Sequence, residues 1–286
     1  MKTVDELLNL LQLEQLEENF FRGVSSSIGS PRVFGGQVLA QSLSAAMQTV
    51  PVDRFVHSLQ AYFLLPGDIS IPIVFSVDCI RDGGSFTTRS VKAIQRGQTI
   101  FHLSASFQLE QEGLDHQVDM PELPGPEDLA NWEGLAQEYN DFIPDNFRRF
   151  LELDRPIEFK PVERYNLFSP KKHAPYRNVW MRARGPMPDE RKAHQLVLAY
   201  ASDYNLLTTA LLPHGQHGNF GELQLASLDH AMWFHRDFRF DDWLLYNLDS
   251  PSASNARGFT RGNIFSRDGK LVASVAQEGL IRPRKR

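Results

Sequence analysis

The same order of elements occurs twice along this chain, and this repeat constrains the fold more than any other feature. In each half, a helix-like segment precedes four β-rich segments that are separated by turn-forming residues. The segments of the first half are GGQVLAQSLSAAMQTV, RFVHSLQAYFLL, IPIVFSVDCI, SFTTRSVKAIQR and TIFHLSASFQ, and those of the second are AYASDYNLLTTAL, LQLASLDHAMWF, WLLYNLDS, ARGFTRGNIFS and LVASVAQEGLI. Such a duplication predicts an α+β fold in which each half has a long helix packed on a curved antiparallel sheet.

The segment between the two halves differs from both in composition. Residues 110–154 contain thirteen acidic and two basic side chains, together with turn formers such as those in MPELPGPEDLANWEG. This composition is typical of a linker with one short helix. The sequence therefore predicts an N-terminal domain at residues 1–109, an acidic linker at 110–155 and a C-terminal domain at 156–286.

Composition excludes several classes of protein. The net charge is −5 and no basic stripe is interleaved with aromatic residues, so we expect no nucleic-acid partner. No run of about 18 apolar residues is present, which predicts no membrane span. The acidic, amphipathic start of the chain is unlike a signal peptide. The single cysteine, Cys79, lies in an apolar segment, where we expect it to be buried and inert. These features together predict a cytoplasmic location.

One carboxylate lies among the apolar residues of the second helix-like segment. Asp203 falls seven residues after Leu196 and seven before Ala210, on the face that should be buried. A buried carboxylate is costly unless it has partners. One reading is a structural aspartate at a helix end or bonded to hydroxyls; the other is a catalytic group. The matching part of the first half, residues 31–50, contains no Asp or Glu, which favours catalysis.

The two halves also align at an offset of 169 residues. This offset pairs Ser58 with Ser227 and Gln108 with Gln277. We interpret Ser58 and Gln108 as remains of a second site that lacks an aspartate, which leaves one active site per chain. The alternative is that both are ordinary sheet residues.

Several phrases resemble the acyl-CoA thioesterase II family: RVFGGQVLAQSL, HSLQAYFLLPGD, SDYNLL, LDHAMWFHR, ARGFTRG and SVAQEG, collinear from about Leu7 to Ile281. The resemblance implies two fused hot dog domains and the hydrolysis of medium- to long-chain acyl-CoA to fatty acid and CoA, without a cofactor. Asp203, Ser227 and Gln277 match the family's water-activating residues. Asp203 would be the base, and Ser227 and Gln277 would orient the water.

Further residues are candidates for binding the substrate. Arg257 and Arg261 in ARGFTRG are expected to hold CoA phosphates, with surface salt bridges as the alternative. Gly35 and Gly36 precede a helix whose N-terminus favours an anion such as part of CoA, although a simple turn into the helix also explains them. Exposed edge strands favour association, so we expect a homodimer or homotetramer.

Other chemistries fit the sequence less well. His214, His217, His230 and His235 have no spacing typical of a metal site, so no metal is expected, and His230 is interpreted as a strand residue. No G-x-S-x-G elbow is present.

Two alternatives to hydrolysis remain open. A hot dog enoyl-CoA hydratase would require histidine five residues after Asp203, where this chain has Thr208. A non-catalytic acyl-CoA-binding module would not explain an aspartate that only one half carries.

Overall fold

A computed structural model describes residues 1–30, 32–138, 153–165, 171–215 and 222–284. The helices are α1 (Val4–Leu11), α2 (Gly35–Met47), α3 (Trp132–Glu138), α4 (Arg191–Ser202) and α5 (Leu206–Thr209), with single 3-10 turns at Pro126–Asp128 and Leu212–His214. The strands are β1 (Glu14–Glu17), β2 (Phe20–Gly23), β3 (Phe55–Phe63), β4 (Ile73–Asp82), β5 (Phe86–Gln95), β6 (Gln98–Gln108), β7 (Ile157–Pro161), β8 (Tyr176–Ala183), β9 (Leu223–Ser227), β10 (Asp229–Phe234), β11 (Leu244–Ser254), β12 (Arg257–Ser266) and β13 (Leu271–Pro283).

The described strands form one antiparallel sheet to which both halves contribute. Its order is β1-β2-β4-β5-β6-β3-β10-β13-β12-β11-β8-β7, with β9 also paired to β13. The halves meet where β3 pairs with β10, from Tyr62 opposite Asp229 to Ser58 opposite Trp233. The predicted α+β class and the predicted order of helix and strands in each half are confirmed.

Helices α2 and α4 lie together in the centre of the molecule. Every residue of α2 from Gly36 to Met47 is buried, which explains why this helix carries no charged side chain. Its polar residues are satisfied locally: the Gln41 side-chain amide donates to the Leu10 carbonyl at 2.9 Å, and the Ser44 hydroxyl donates to the Leu11 carbonyl at 2.8 Å. Buried apolar residues of both helices and of both half-sheets form one continuous core.

Glycine at position 36 allows the two helices to meet. A Cβ atom at Gly36 would lie 2.2 Å from the backbone carbonyl oxygen of Tyr200 in α4. No side chain fits there without moving the backbone. The first turn of α2 therefore contacts the last turn of α4 directly.

The predicted linker covers the outer face of the second half. The Gln117 side chain pairs with the backbone at Gly269 (2.8 Å) and Leu271 (3.0 Å), and the Trp180 indole donates to the Pro124 carbonyl at 2.9 Å. Between the linker and the sheet, Trp180 packs in a cluster with Trp243, Leu245 and Phe265. Residues 139–152 of the predicted linker lie outside the described residues.

The prediction that Cys79 is buried is wrong. In β4, the side chains from Asp78 to Asp82 are exposed, and the strand pairing is irregular between Cys79 and Arg81. The Cys79 thiol is accordingly exposed and lies 3.5 Å from the Asn19 side-chain oxygen. The apolar pattern of this strand describes only its first half, which lies under the helices.

Replacing Gly36 by alanine should destabilise the protein. The added methyl group collides with the Tyr200 carbonyl, and overpacking of this kind costs about 1–3 kcal/mol. Urea denaturation should show a lower midpoint for Gly36→Ala than for wild type. The control is Gly84→Ala, whose methyl group would have no atom within 4 Å. Equal midpoints for the two variants would contradict the close helix contact.

Candidate active site

Asp203 lies at the end of a helix and not inside one. Helix α4 ends at Ser202, Asp203 is its C-cap, and Asn205 adopts a left-handed conformation with φ of 71° before α5 begins. Asparagine tolerates this conformation, and the Asn205 side-chain oxygen accepts a hydrogen bond from the buried Arg177 at 3.2 Å. Arg177 also donates to the Thr208 hydroxyl at 3.0 Å. The predicted single helix through Leu211 is therefore wrong, although Asp203 is buried as that pattern indicated.

The carboxylate of Asp203 is almost completely enclosed. Its Oδ1 accepts a hydrogen bond of 2.7 Å from the Gln277 side-chain amide, and the carboxylate also accepts one from the Gly36 backbone N–H. A Cβ atom on Gly35 would lie 2.5 Å from Oδ2. Burial raises the pKa of Asp203 to about 6, while the two hydrogen bonds act in the opposite direction.

Two helix ends meet at this carboxylate. The C-terminal end of α4 disfavours a negative charge, whereas the N-terminal end of α2 favours one. The glycine pair brings the second end into contact with the carboxylate. Gly35 and Gly36 were predicted to bind part of CoA, but the anion at this helix N-terminus is Asp203 itself.

Gln277 is the partner that holds Asp203 from the sheet. It lies in the middle of β13, opposite Thr260, and is 2% exposed. Its amide nitrogen also lies 3.2 Å from His230 Nδ1, so both amide hydrogens have acceptors. Its carbonyl oxygen Oε1 has no hydrogen-bond partner among the described residues, and neither has the Thr260 hydroxyl. Because an unpartnered buried acceptor is costly, Oε1 is a candidate contact for water or substrate.

His230 completes this group of side chains. It is fully buried, its Nε2 lies 2.9 Å from the Ser202 hydroxyl, and its Nδ1 lies 4.0 Å from Asp203 Oδ1. Burial lowers the pKa of His230 to about 3, so its ring is neutral near pH 7. From the sequence alone, His230 is interpreted only as a strand residue. Its alternation with Met232 and Phe234, which are also buried, is the signal that places it on the helix side of the sheet.

Ser227 lies on the same face of the sheet as Gln277 but does not bond to it. It ends β9 opposite Gly279, two positions along β13 from Gln277. Ala231 is four positions after Ser227, whereas their partners Ala276 and Gly279 are three positions apart, so a β-bulge lies between Ser227 and Ala231. The Ser227 hydroxyl makes no side-chain hydrogen bond within the described part of the chain.

The structure separates the two candidate arginines from Asp203. Arg261 lies opposite Ala276, the neighbour of Gln277, and therefore points to the other face of the sheet. It forms a two-pronged ion pair with Asp249 at 2.8 and 3.0 Å, and Arg257 pairs with Glu278 at 2.9 Å. A CoA phosphate bound by these arginines would lie on the face opposite to Asp203.

The interpretation of Ser58 and Gln108 as a second, degenerate site is also wrong. Ser58 lies opposite Trp233 and Ser106, and Gln108 lies opposite Phe55. Both alternate with buried neighbours and so point outward, whereas Ser227 and Gln277 point toward the helices. A shift of one residue in a strand exchanges its two faces, and the offset of 169 contains such a shift.

Comparison with known proteins gives a consistent result over the whole chain. Residues 22–108 match the family model of the acyl-CoA thioesterase N-terminal domain, and residues 147–280 match the acyl-CoA thioesterase model. The chain is 40% identical to acyl-CoA thioesterase 2 of Haemophilus influenzae, with 98% of each protein covered. The chain belongs to the acyl-CoA thioesterase family.

Other relatives support this family assignment and the fold. Human acyl-coenzyme A thioesterase 8 is 42% identical over 96% of this chain and 88% of its own length. The crystal structure of an acyl-CoA thioesterase II from Mycobacterium marinum has a TM-score of 0.79 at 43% identity and covers 96% of this chain and 98% of its own. A hot dog protein of Alicyclobacillus acidocaldarius, 18% identical with a TM-score of 0.78, covers 96% of this chain and 97% of its own and shares the fold. The two predicted hot dog domains are confirmed.

In this family member, the group around Asp203 suits proton transfer. A carboxylate with a pKa of about 6 is ionised at neutral pH, and its pKa is close enough to 7 for it to accept a proton efficiently. Among the described residues, no group of three or more His, Cys, Asp or Glu is arranged to hold a metal ion, and no helix is long and apolar enough to cross a membrane.

Because the pKa of Asp203 is raised, the free energy of unfolding should depend on pH. Between about pH 4 and pH 6 the folded protein binds this proton more tightly than the unfolded chain, so the carboxylate costs stability as pH rises through this window. The cost above pH 6 is at most about 3 kcal/mol. Asp203→Asn should therefore stabilise the protein relative to wild type, and more at pH 8 than at pH 4.5.

Melting temperatures at the two pH values test this expectation. The exposed Asp242 provides the control, because Asp242→Asn removes a carboxylate that is not buried. A stability difference between Asp203→Asn and wild type that is the same at both pH values would contradict it.

Proposed function

We propose that this protein hydrolyses acyl-CoA thioesters to a fatty acid and CoA, with Asp203 as the general base. One observation carries the proposal: a buried carboxylate accepts a hydrogen bond from Gln277 while the carbonyl oxygen of the same amide is free. Two acceptors from different elements, one of them basic, suit a single water molecule. The acyl-CoA thioesterases among the relatives support the substrate class.

In the proposed reaction, the water donates one hydrogen to Asp203 and the other to Gln277 Oε1. This leaves a lone pair of the water directed at the thioester carbonyl carbon. As the C–O bond forms, Asp203 takes the proton, and the tetrahedral intermediate then expels CoA by breaking the C–S bond. Asp203 then gives its proton to the CoA thiolate, and the carboxylic acid that is formed loses its own proton to solvent and leaves as a carboxylate. General-base catalysis of this type contributes about 10²–10⁴-fold in rate.

Ser227 and the oxyanion donors complete the proposal. The unpaired hydroxyl of Ser227 is available to hold the water, in line with its position on the helix side of the sheet. Both N–H bonds of Gln277 have acceptors, Asp203 and His230, so this amide is a poor donor to the developing oxyanion. Backbone N–H groups are the better candidates.

Several finer statements stay predictions from the family resemblance and the sequence. These are a preference for medium- to long-chain acyl groups, a cytoplasmic location, and a homodimer or homotetramer. Strands β1 and β7 are the terminal strands of the described sheet, and association would cover such edges.

The environment of His230 argues against the hydratase alternative. Adding water across a double bond needs an acid and a base that both reach the substrate. His230 lies 4.0 Å from Asp203, but both ring nitrogens already have hydrogen-bond partners inside the protein, and its low pKa keeps the ring neutral. The ring therefore has no free proton to deliver.

Release of free thiol from palmitoyl-CoA, followed with a thiol-reactive dye, tests the proposed function. Wild type should be active, and Asp203→Asn should lower kcat by at least about 10²-fold while the protein stays folded. Ser58→Ala, on the outer face, should remain within about twofold of wild type, and a metal chelator should have no effect. Near-normal turnover of Asp203→Asn would remove Asp203 as the base. If wild type hydrolyses no acyl-CoA but hydrates crotonyl-CoA, the hydratase reading is correct.

The pH dependence of kcat/KM tests the assignment of the base. Activity should fall about tenfold per pH unit below an apparent pKa near 6, because only the ionised Asp203 accepts a proton. The Gln277 hydrogen bond lowers this pKa, so Gln277→Ala should shift the acidic limb to higher pH as well as lower the rate. Ser58→Ala should keep the limb of wild type. An acidic limb that does not move in Gln277→Ala would contradict the contact between the two residues.

A further inference from the structure

His230 contacts the amide of Gln277 from the side opposite to the carboxylate. The Gln277 nitrogen lies 2.7 Å from Asp203 Oδ1 and 3.2 Å from His230 Nδ1. On the other side of the ring, His230 Nε2 lies 2.9 Å from the Ser202 hydroxyl. The imidazole therefore bridges strand β13 and the last residue of helix α4.

The partners determine where the hydrogen atoms lie. An ionised Asp203 only accepts, so the NH₂ group of Gln277 must face it. The second hydrogen of that NH₂ group points at His230 Nδ1, which must then be the unprotonated nitrogen. The ring proton is on Nε2 and is donated to the Ser202 hydroxyl, which in turn donates to the Ala199 carbonyl at 2.8 Å.

This chain of hydrogen bonds is anchored at its far end. The Tyr246 hydroxyl donates to the Ser202 backbone carbonyl at 3.0 Å, and both Ser202 and Tyr246 are fully buried. The His230 ring is thus held in one orientation and one tautomer. An amide that met only a carboxylate would have one N–H without an acceptor and would rotate more freely.

We propose that His230 is a positioning residue: its Nδ1 fixes the Gln277 amide so that N–H faces Asp203 and the carbonyl oxygen faces the attacking water. The inference rests on the proposed hydrolysis, because it assigns His230 a role at the same site. His230 does not touch the reacting atoms in this account. It acts only through Gln277.

A pair of variants of similar shape isolates the Nδ1 acceptor. Leucine and asparagine both remove the contact with Ser202, but asparagine still offers an acceptor near the position of Nδ1. His230→Leu should lower kcat by about 10- to 100-fold with KM changed less than about threefold, because the water is misplaced and not the substrate. His230→Asn should recover about tenfold of that loss. Equal kcat in the two variants would overturn the proposal.

A double-mutant cycle with Gln277 tests whether the effect passes through that residue. In a Gln277→Ala background, His230→Leu should lower kcat by less than about twofold further, because the amide that it orients is gone. If the two losses multiply, His230 acts independently of Gln277 and the proposal is wrong. His235→Leu is the matched control: its ring lies 3.0 Å from the Ser274 hydroxyl on the exposed side of the sheet, and its kcat should equal that of wild type.

Nuclear magnetic resonance separates this inference from the proposed function. In wild type labelled with ¹⁵N-histidine, the His230 resonances, identified by their absence in His230→Asn, should report a neutral ring protonated at Nε2 from pH 5 to pH 8. Gln277→Ala should shift the Nδ1 resonance. A ring protonated at Nδ1 would overturn the proposal even if wild type is an active thioesterase. The expected tautomer would support the hydrogen-bond arrangement even if wild type hydrolyses no thioester.

Discussion

The contact between the first turn of α2 and the end of α4 determines the surroundings of Asp203, the proposed base. Gly36 allows the two backbones to approach, and its N–H then reaches the carboxylate of Asp203. Without that contact, Asp203 would be a buried anion at the C-terminal end of a helix, which is an unfavourable place for a negative charge. The two halves of the duplicated fold are thus joined twice, through the β3–β10 strand pair and through this helix contact. The candidate site lies at the helix contact.

The duplication explains why two helices and two halves of one sheet meet here, but the two halves contribute different groups. The second half contributes Asp203, His230 and Gln277, whereas the first contributes backbone and small residues at Gly35 and Gly36. A helix N-terminus that begins with two glycines can complement a carboxylate from another element, because its backbone N–H groups are accessible. One half therefore provides the proposed base, and the other provides hydrogen-bonding and electrostatic surroundings that favour its ionised form.

The sequence predicted the fold and the burial of Asp203 for reasons that the structure makes clear. Helical spacing placed Asp203 on a buried face. Asp203 is buried even though the helix is interrupted at Asn205, because α4 and α5 pack against the same core. The predictions for Ser58, Gln108 and Cys79, which depended on the face of a strand, failed. The alignment offset placed Ser58 and Gln108 on the wrong face of the sheet. The β-bulge beside Ser227 cannot be predicted from the alternation of apolar and polar residues. Hydrogen-bond partners such as His230 depend on pairing between distant strands, which no local pattern contains.

The polar groups around Asp203 show how stability and reactivity are opposed in one site. The hydrogen bonds from Gln277 and Gly36 favour the carboxylate, while burial acts against it, and a pKa of about 6 is the outcome of that competition. Additional donors would stabilise the anion further and weaken it as a base. The same competition applies to the unpartnered carbonyl of Gln277, because a partner inside the protein would satisfy it and make it unavailable to the proposed water. The His230 ring meets both requirements, since it satisfies the N–H of the amide and leaves the carbonyl free.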